Sequence, residues 1–265
     1  MEAITPELSV TSVFLLSGLI GLVIGSFISM LTWRMPRMEM LAEHQQLKAV
    51  SFGGSKCPNC DTRLPWYRLI PVLSWLWSKG QCHHCQIAIS PRYPIIELTT
   101  TLSTILIIWL FGATLIGFAA VLFTWVLITI SVIDIEHQLI LDNLSLPLLW
   151  LGLLFNTKSL FTTPENAILG AIFGYLLLWS VFHLFKLVTG KEGMGYGDFK
   201  LLAALGAWFG AMAIPQIILI ASLSSLVIGL GGILLKRRAY NTPLAFGPFL
   251  AIGGWVTLII GISLF

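Results

Sequence analysis

The chain reads as an all-α polytopic membrane protein of about eight transmembrane helices, with one hydrophilic loop between the first helix and the second. Three observations predict this. Of the 265 residues, 57% are apolar and only 10% carry charge, a balance that suits a chain dissolved in lipid. Uncharged stretches of bilayer length recur from one end to the other. Only residues 34–94 form a sizeable hydrophilic segment, and all four cysteines fall inside it. A net charge of +3 gives no reason to expect a nucleic-acid partner, so membrane lipid is the expected surroundings.

The first span is Leu8 to Trp33. It is not expected to be a cleavable signal, because its first charges are Glu2 and Glu7 and its apolar core is too long. The uncharged runs Leu98–Ile133 and Leu201–Leu235 hold 36 and 35 residues. As single helices they would reach roughly 50 Å, against a hydrocarbon core of about 30 Å. Each is therefore expected to be a helical hairpin, broken near Gly112–Gly117 and Gly210–Pro215. Asn166–Phe185 and Ala239–Phe265 supply one span each.

The segment Asn143–Thr157 is short and contains Pro147, so length leaves open a short span or a re-entrant piece. Charge placement decides. If it crosses, 14 of the 15 basic residues lie on one side and only Lys158 lies on the other. If it does not, the split is 9 to 6, which the positive-inside rule disfavours. The expectation is eight spans, both termini outside, and Asp134 and Asp198 both on the cytosolic side.

The loop carries Cys57-Pro-Asn-Cys60 and Cys82-His-His-Cys85. Two Cys-x-x-Cys hooks put four thiolates on one tetrahedral ion, which points to structural zinc on Cys57, Cys60, Cys82 and Cys85. A small loop with little core gains folding energy from such a metal. A thioredoxin-like redox role lacks its strand–helix context. Between the hooks, Leu64–Trp77 is rich in Trp and Leu, and it either lies in the membrane interface or forms the module's own core.

Asp134 ends one apolar run and Asp198 opens another, inside Gly195-Tyr-Gly-Asp-Phe-Lys200. A carboxylate at the edge of a membrane segment is costly. Two of them sharing a proton, one acid and one base, give the chemistry of an aspartic protease. Asp142 is the rival to Asp134, with a helix-capping role as its other reading. Asp198 at a helix start and Asp134 at a helix end suggest by dipole that Asp198 is the resting base. Glu97 begins the second span and is expected to bind a cationic group or to pair with Arg92. Ser17, Gly21, Gly25 and Ser29 recur every four residues as a close-packing stripe. His183 reads as a satisfied core histidine.

Together, Gly25-Ser-Phe, the two cysteine hooks, Ser90-Pro-Arg-Tyr-Pro-Ile-Ile-Glu97, Asp134 to Asp142 and Gly193-Met-Gly-Tyr-Gly-Asp-Phe-Lys200 resemble the type IV prepilin peptidase family over nearly the whole chain. Ser29 and Leu141 depart from the Asn and Pro usual there. The resemblance implies a multi-pass enzyme of the bacterial inner membrane. It implies cleavage of the leader from type IV prepilins or type II secretion pseudopilins on the cytosolic side, then N-methylation of the new N-terminal residue with S-adenosylmethionine. By position, Asp134 and Asp198 match the catalytic aspartates, the four cysteines match the metal ligands, and Gly80 matches a glycine tied to methyl transfer. Gly80 and Glu97 are the residues expected at the methyl-donor site. The implied division is a first helix at 1–33, a tetracysteine loop at 34–94 and a seven-helix peptidase domain at 95–265. The alternatives are a non-enzymatic, zinc-stabilised assembly factor of a pilus or secretion system, and an ion or proton carrier.

Overall fold

The computed structural model describes residues 10–38, 55–57, 59–191, 193–235 and 244–261. Among them the helices are α1 (Val10–Met38), α2 (Leu73–Trp77), α3 (Arg92–Phe111), α4 (Leu115–His137), α5 (Asp142–Asn156), α6 (Pro164–Thr189), α7 (Tyr196–Phe209), α8 (Ile214–Leu234) and α9 (Gly247–Gly261). Short 3-10 turns lie at Trp66–Leu69 and Ala211–Ala213. No strand forms among the described residues beyond two isolated antiparallel bridges. The expected all-α membrane architecture is present. Eight of the helices have 14 or more residues. Five of them, α1, α3, α4, α6 and the Ala211–Leu234 segment, are long and apolar enough to cross a bilayer. The 14- and 15-residue helices α7, α5 and α9 are only about 21–23 Å long, short of a full hydrocarbon core. The termini and the basic run Lys236 to Arg238, used above for orientation, lie outside the described residues.

The chain divides into two compact units, Met1–Trp125 and Val126–Phe265. In the first, α1 packs along α3. A Cβ on Gly21 would meet the Cα of Thr101 at 2.8 Å, and one on Gly25 the Cα of Glu97 at the same distance. The four-residue stripe is thus a packing surface, as small residues between membrane helices allow. Arg92 ties the base of α3 to α1, donating to the Thr32 hydroxyl at 2.8 Å and to the Ser29 carbonyl at 3.4 Å. Thr100, Thr101 and Thr104 return their hydroxyls to carbonyls four residues earlier, so these three donors are not left bare in an apolar setting.

In the second unit, α7 is the central helix, with every residue from Leu201 to Trp208 buried. It packs on α6, α5 and α9. Gly170 of α6 and Gly206 of α7 face each other so closely that a Cβ on either would run into the other's carbonyl. Gly174 lies against the Leu202 carbonyl, and Gly254 of α9 against the Leu205 side chain. Asn156, fully buried, donates to the Ala207 and Trp208 carbonyls and accepts from the Phe161 and Thr162 N–H groups. One side chain thereby satisfies the open carbonyls of α7 and the turn into α6. The two hairpin breaks fall where expected. Gly112 (φ +69°) and Gly210 (φ +83°) end α3 and α7 in backbone that glycine adopts without strain.

Candidate functional site

The cysteine hooks are built twice on one pattern. In the first, the Cys57 N–H donates to Thr62 O and the Asp61 N–H to Cys57 O, under a Lys56–Arg63 bridge. In the second, the Cys82 N–H donates to Ile87 O and the Gln86 N–H to Cys82 O, under a Gln81–Ala88 bridge. Asp61 (φ +52°) and Gln86 (φ +59°) make the same left-handed turn in each. The four sulfur atoms lie within 4.8 Å of one another, Cys57 and Cys85 at 3.7 Å, and none is in a disulfide. Tetrahedral zinc with bonds of about 2.3 Å requires sulfur–sulfur edges of about 3.8 Å. Backbone N–H groups of Cys85 and His84 lower the Cys82 thiol to about 6. The Thr62 hydroxyl and N–H lower Cys60 as well. Burial and the neighbouring Cys60 and Cys82 side chains push the Cys57 thiol up to about 11, so the thiolate is favoured at Cys82 and Cys60 and not at all four sulfurs. His83 and His84 are exposed and stand outside the cluster.

Between the hooks, α2 buries none of its residues. Leu73, Leu76 and Trp77 are exposed, as are Tyr67 and Leu69 before it. These five side chains are not part of a core, whereas Trp75 is half-buried, lies against Gly80 and donates to the Ile89 carbonyl at 3.1 Å. Gly80, at φ +67°, closes the turn after α2, and a Cβ there would meet the Trp75 ring at 2.9 Å. Its geometry gives it a turn-forming role. Glu97 is 7% exposed, and its Oε2 accepts the Val72 N–H at 2.7 Å, with the Ser26 side chain as a favourable neighbour. Val72 is β-branched at φ +60°, a costly conformation. Glu97 thus anchors the start of α2 to α3.

The aspartates belong to the second unit. Asp134 sits in the last turn of α4, its carbonyl receiving the Gln138 N–H. Asp198 is in the first turn of α7, which begins at Tyr196, so it stands at a helix start as expected. The two are 5% and 7% exposed and lie within electrostatic reach of each other. The Asp198 N–H donates to the Gly195 carbonyl at 3.3 Å, and the Gly195 N–H is a favourable electrostatic neighbour of the Asp198 carboxylate, in the position of an acid three residues into a helix. Asp134 Oδ2 accepts the Gly247 N–H at 2.9 Å. Gly247 opens α9, so Asp134 also faces a helix N-terminus. The dipole therefore does not single out Asp198 as the base, contrary to expectation.

Asp142 has another partner. Its two oxygens receive Lys200 Nζ at 2.6 and 2.7 Å, and its side chain is 53% exposed. It does not cap α5, whose N-cap is Leu141. Glu136 and His137 are part-exposed at the end of α4, 4.0 Å apart. His183 is on the surface of α6, not in a core, stacked on Trp179 and bonded to its carbonyl. Gly247 and Ile140 were not anticipated. Ile140 lies against the positions a Cβ would take on Gly197 and on Gly247, so the starts of α7 and α9 converge on the α4–α5 turn.

Residues 19–111 match the bacterial peptidase A24 N-terminal domain and residues 121–230 the type IV leader peptidase family. A prepilin leader peptidase/N-methyltransferase of Stutzerimonas stutzeri is 45% identical over 263 residues, 94% of this chain and 91% of that protein. The chain belongs to the type IV leader peptidase family. Proteins of the same name from Pseudomonas aeruginosa and Aeromonas salmonicida are 45% and 44% identical, covering 92% and 95% of the chain and 89% and 92% of their own lengths. No solved structure matches. Peptidase and N-methyltransferase activity follow from membership, and the reading as a non-enzymatic assembly factor is not favoured. The aspartate site lies in the leader-peptidase region, the cysteine cluster and Glu97 in the N-terminal domain.

Proposed function

We propose that this chain removes the leader from type IV prepilins or type II secretion pseudopilins at the cytosolic face of the bacterial inner membrane, with Asp134 and Asp198 as catalytic pair. The observation that carries this is the buried approach of these two carboxylates, brought from separate helices into one unit. Two buried carboxylates that interact electrostatically favour one protonated and one ionised member. The ionised member takes a proton from water while the protonated one polarises the scissile carbonyl, and no covalent intermediate forms. The apolar segment after the leader lies in the bilayer and brings the bond to the membrane boundary.

Eight crossings with both termini outside put both aspartates on the cytosolic side, in accord with the distribution of basic residues. In this reading residues 34–94 serve methyl transfer and 95–265 cleavage. Cys57, Cys60, Cys82 and Cys85 would hold a structural zinc ion, which supplies folding energy to the loop. S-adenosylmethionine is the methyl donor, with Gly80 and Glu97 near its site. The exposed Tyr67, Leu69, Leu73, Leu76 and Trp77 suit the membrane interface.

The test is to incubate purified protein with a prepilin and radiolabelled methyl donor, scoring leader loss and label together. Asp134→Ala and Asp198→Ala lose cleavage. Gly80→Ser and Glu97→Gln lose label while leader removal continues. Cleavage by either aspartate variant would defeat the assignment of the pair.

A further inference from the structure

Asp134 has to present its carboxylate in one orientation, and among the described residues the hydrogen bond that does so comes from outside its own helix. The fixing donor comes from 113 residues away, the Gly247 N–H on Oδ2 at 2.9 Å, in a buried setting. This donor is available because of where it sits. The Phe246 carbonyl accepts from the Phe249 and Leu250 N–H groups, so Gly247 and Pro248 stand in the first turn of α9. First-turn N–H groups have no partner within the helix, and Pro248 has no N–H to offer. Gly247 is thus left to direct its donor at the carboxylate.

Space makes a second, independent demand. A Cβ at position 247 would come within 2.6 Å of Asp134 Oδ2 and 2.9 Å of Ile140 Cδ1. Since 2.6 Å is inside van der Waals contact, any side chain there displaces the carboxylate or moves α9. We propose that Gly247 is a positioning residue for leader cleavage, holding Asp134 by its N–H in a space that only glycine leaves open. The proposal rests on Asp134 being catalytic.

The experiment compares steady-state leader removal and thermal unfolding in wild type, Gly247→Ala, Ile140→Val, the double variant Ile140→Val/Gly247→Ala, and Gly253→Ala. Ile140→Val removes the Cδ1 atom that crowds position 247 but not the carboxylate. Gly253→Ala crowds the same helix elsewhere, its Cβ 2.5 Å from the Ile217 carbonyl. The expected result is a kcat lower by about 10²-fold in Gly247→Ala, as for a catalytic group displaced by about 1 Å, with KM within about twofold. The double variant should keep the low kcat, and Gly253→Ala should lose thermal stability with kcat intact. A near-normal kcat in Gly247→Ala, or its recovery in the double variant, overturns the proposal.

Should Gly247→Ala fail to fold, the Gly247 amide proton is followed by NMR in protein labelled at Phe–Gly pairs, in wild type and Asp134→Ala. An upfield move on removing the carboxylate supports the hydrogen bond, and an unmoved resonance overturns it. Asp134→Asn is assayed in parallel. If it still cleaves, the reading of Asp134 as catalytic fails; if it is inactive while Gly247→Ala is normal, only the positioning role fails.

Discussion

Asp134 and Asp142 are eight residues apart and both lie at the end of an apolar stretch, so substituting each by Asn sets two roles against each other. Asp134 is 5% exposed, with a backbone donor and Asp198 beside it. Asn at that position keeps the shape and can still accept from Gly247, but it can neither ionise nor carry the shared proton. Removing a positioned acid–base group costs about 10²–10⁴-fold in rate. Asp142 is 53% exposed and its Lys200 partner 29%. A pair so open to water contributes about 0.2–1 kcal/mol, and 1 kcal/mol is about fivefold in rate. Asp134→Asn should therefore lose at least about a hundredfold in initial rate of leader removal, and Asp142→Asn no more than about fivefold. The assay is gel-resolved cleavage of a prepilin by purified variants of matched thermal unfolding midpoint. A folded Asp142→Asn protein as inactive as Asp134→Asn would refute the reasoning, as would an active Asp134→Asn.

Gly170→Ala drives a methyl group into the Gly206 carbonyl, so overpacking of about 1–3 kcal/mol should lower the unfolding midpoint. Gly231→Ala, with open space around the added Cβ, should leave it unchanged or raise it slightly. Chelation of the metal-loaded protein should make Cys57, Cys60, Cys82 and Cys85 reactive toward a thiol reagent, whereas the loaded form protects them; four reactive thiols in both forms would remove the metal from the account. Gly80→Ala should weaken metal retention, because φ +67° costs an L-residue about 1–2 kcal/mol and the Trp75 ring must also shift. Equal retention in chelator titration would show that this turn is not coupled to the cluster.

What could be read from the sequence is what depends on neighbours along the chain. The hairpin breaks were legible because an apolar run longer than the bilayer has to turn, and Gly112 and Gly210 adopt the backbone a turn needs. The Gly21–Gly25 stripe was legible because a four-residue repeat lies on one helix face, although only the structure shows Thr101 and Glu97 opposite. The cysteine hooks were legible from spacing alone. Other features depend on partners brought together by folding. Lys200 stands two residues from Asp198, yet its ammonium goes to Asp142, 58 positions away. Asp198, by contrast, was legible as lying at a helix start, because it stands just before an apolar run, and α7 does begin beside it, at Tyr196. Gly247 carried the weakest signal. A glycine before proline reads as ordinary punctuation, and nothing local says that its N–H meets a carboxylate.

The donors at the aspartates bear on how such a pair works. During hydrolysis the carboxylate that takes a proton from water must give one to the departing amine, so each acid passes between charged and neutral forms. A site that favoured the charge on one carboxylate alone would help one half of the cycle and hinder the other. Here each carboxylate faces its own helix N-terminus. Asp198 lies in the first turn of α7 with the Gly195 N–H as a favourable electrostatic neighbour, Asp134 receives the Gly247 N–H of α9, and both N–H groups belong to helix starts whose partial positive charge favours an anion. In the proposed mechanism, each of the two carboxylates then has a helix start facing it when it carries the negative charge. Lys200, the nearest cation in sequence, would break that balance if it paired with Asp198, and its bidentate hold on Asp142 keeps its charge on a different acid. The turn between α4 and α5 joins these facts. It carries Asp134 at its start and Asp142 at its end, and it places Ile140 between Gly197 and Gly247, so the residues that set the two carboxylates are packed against one another.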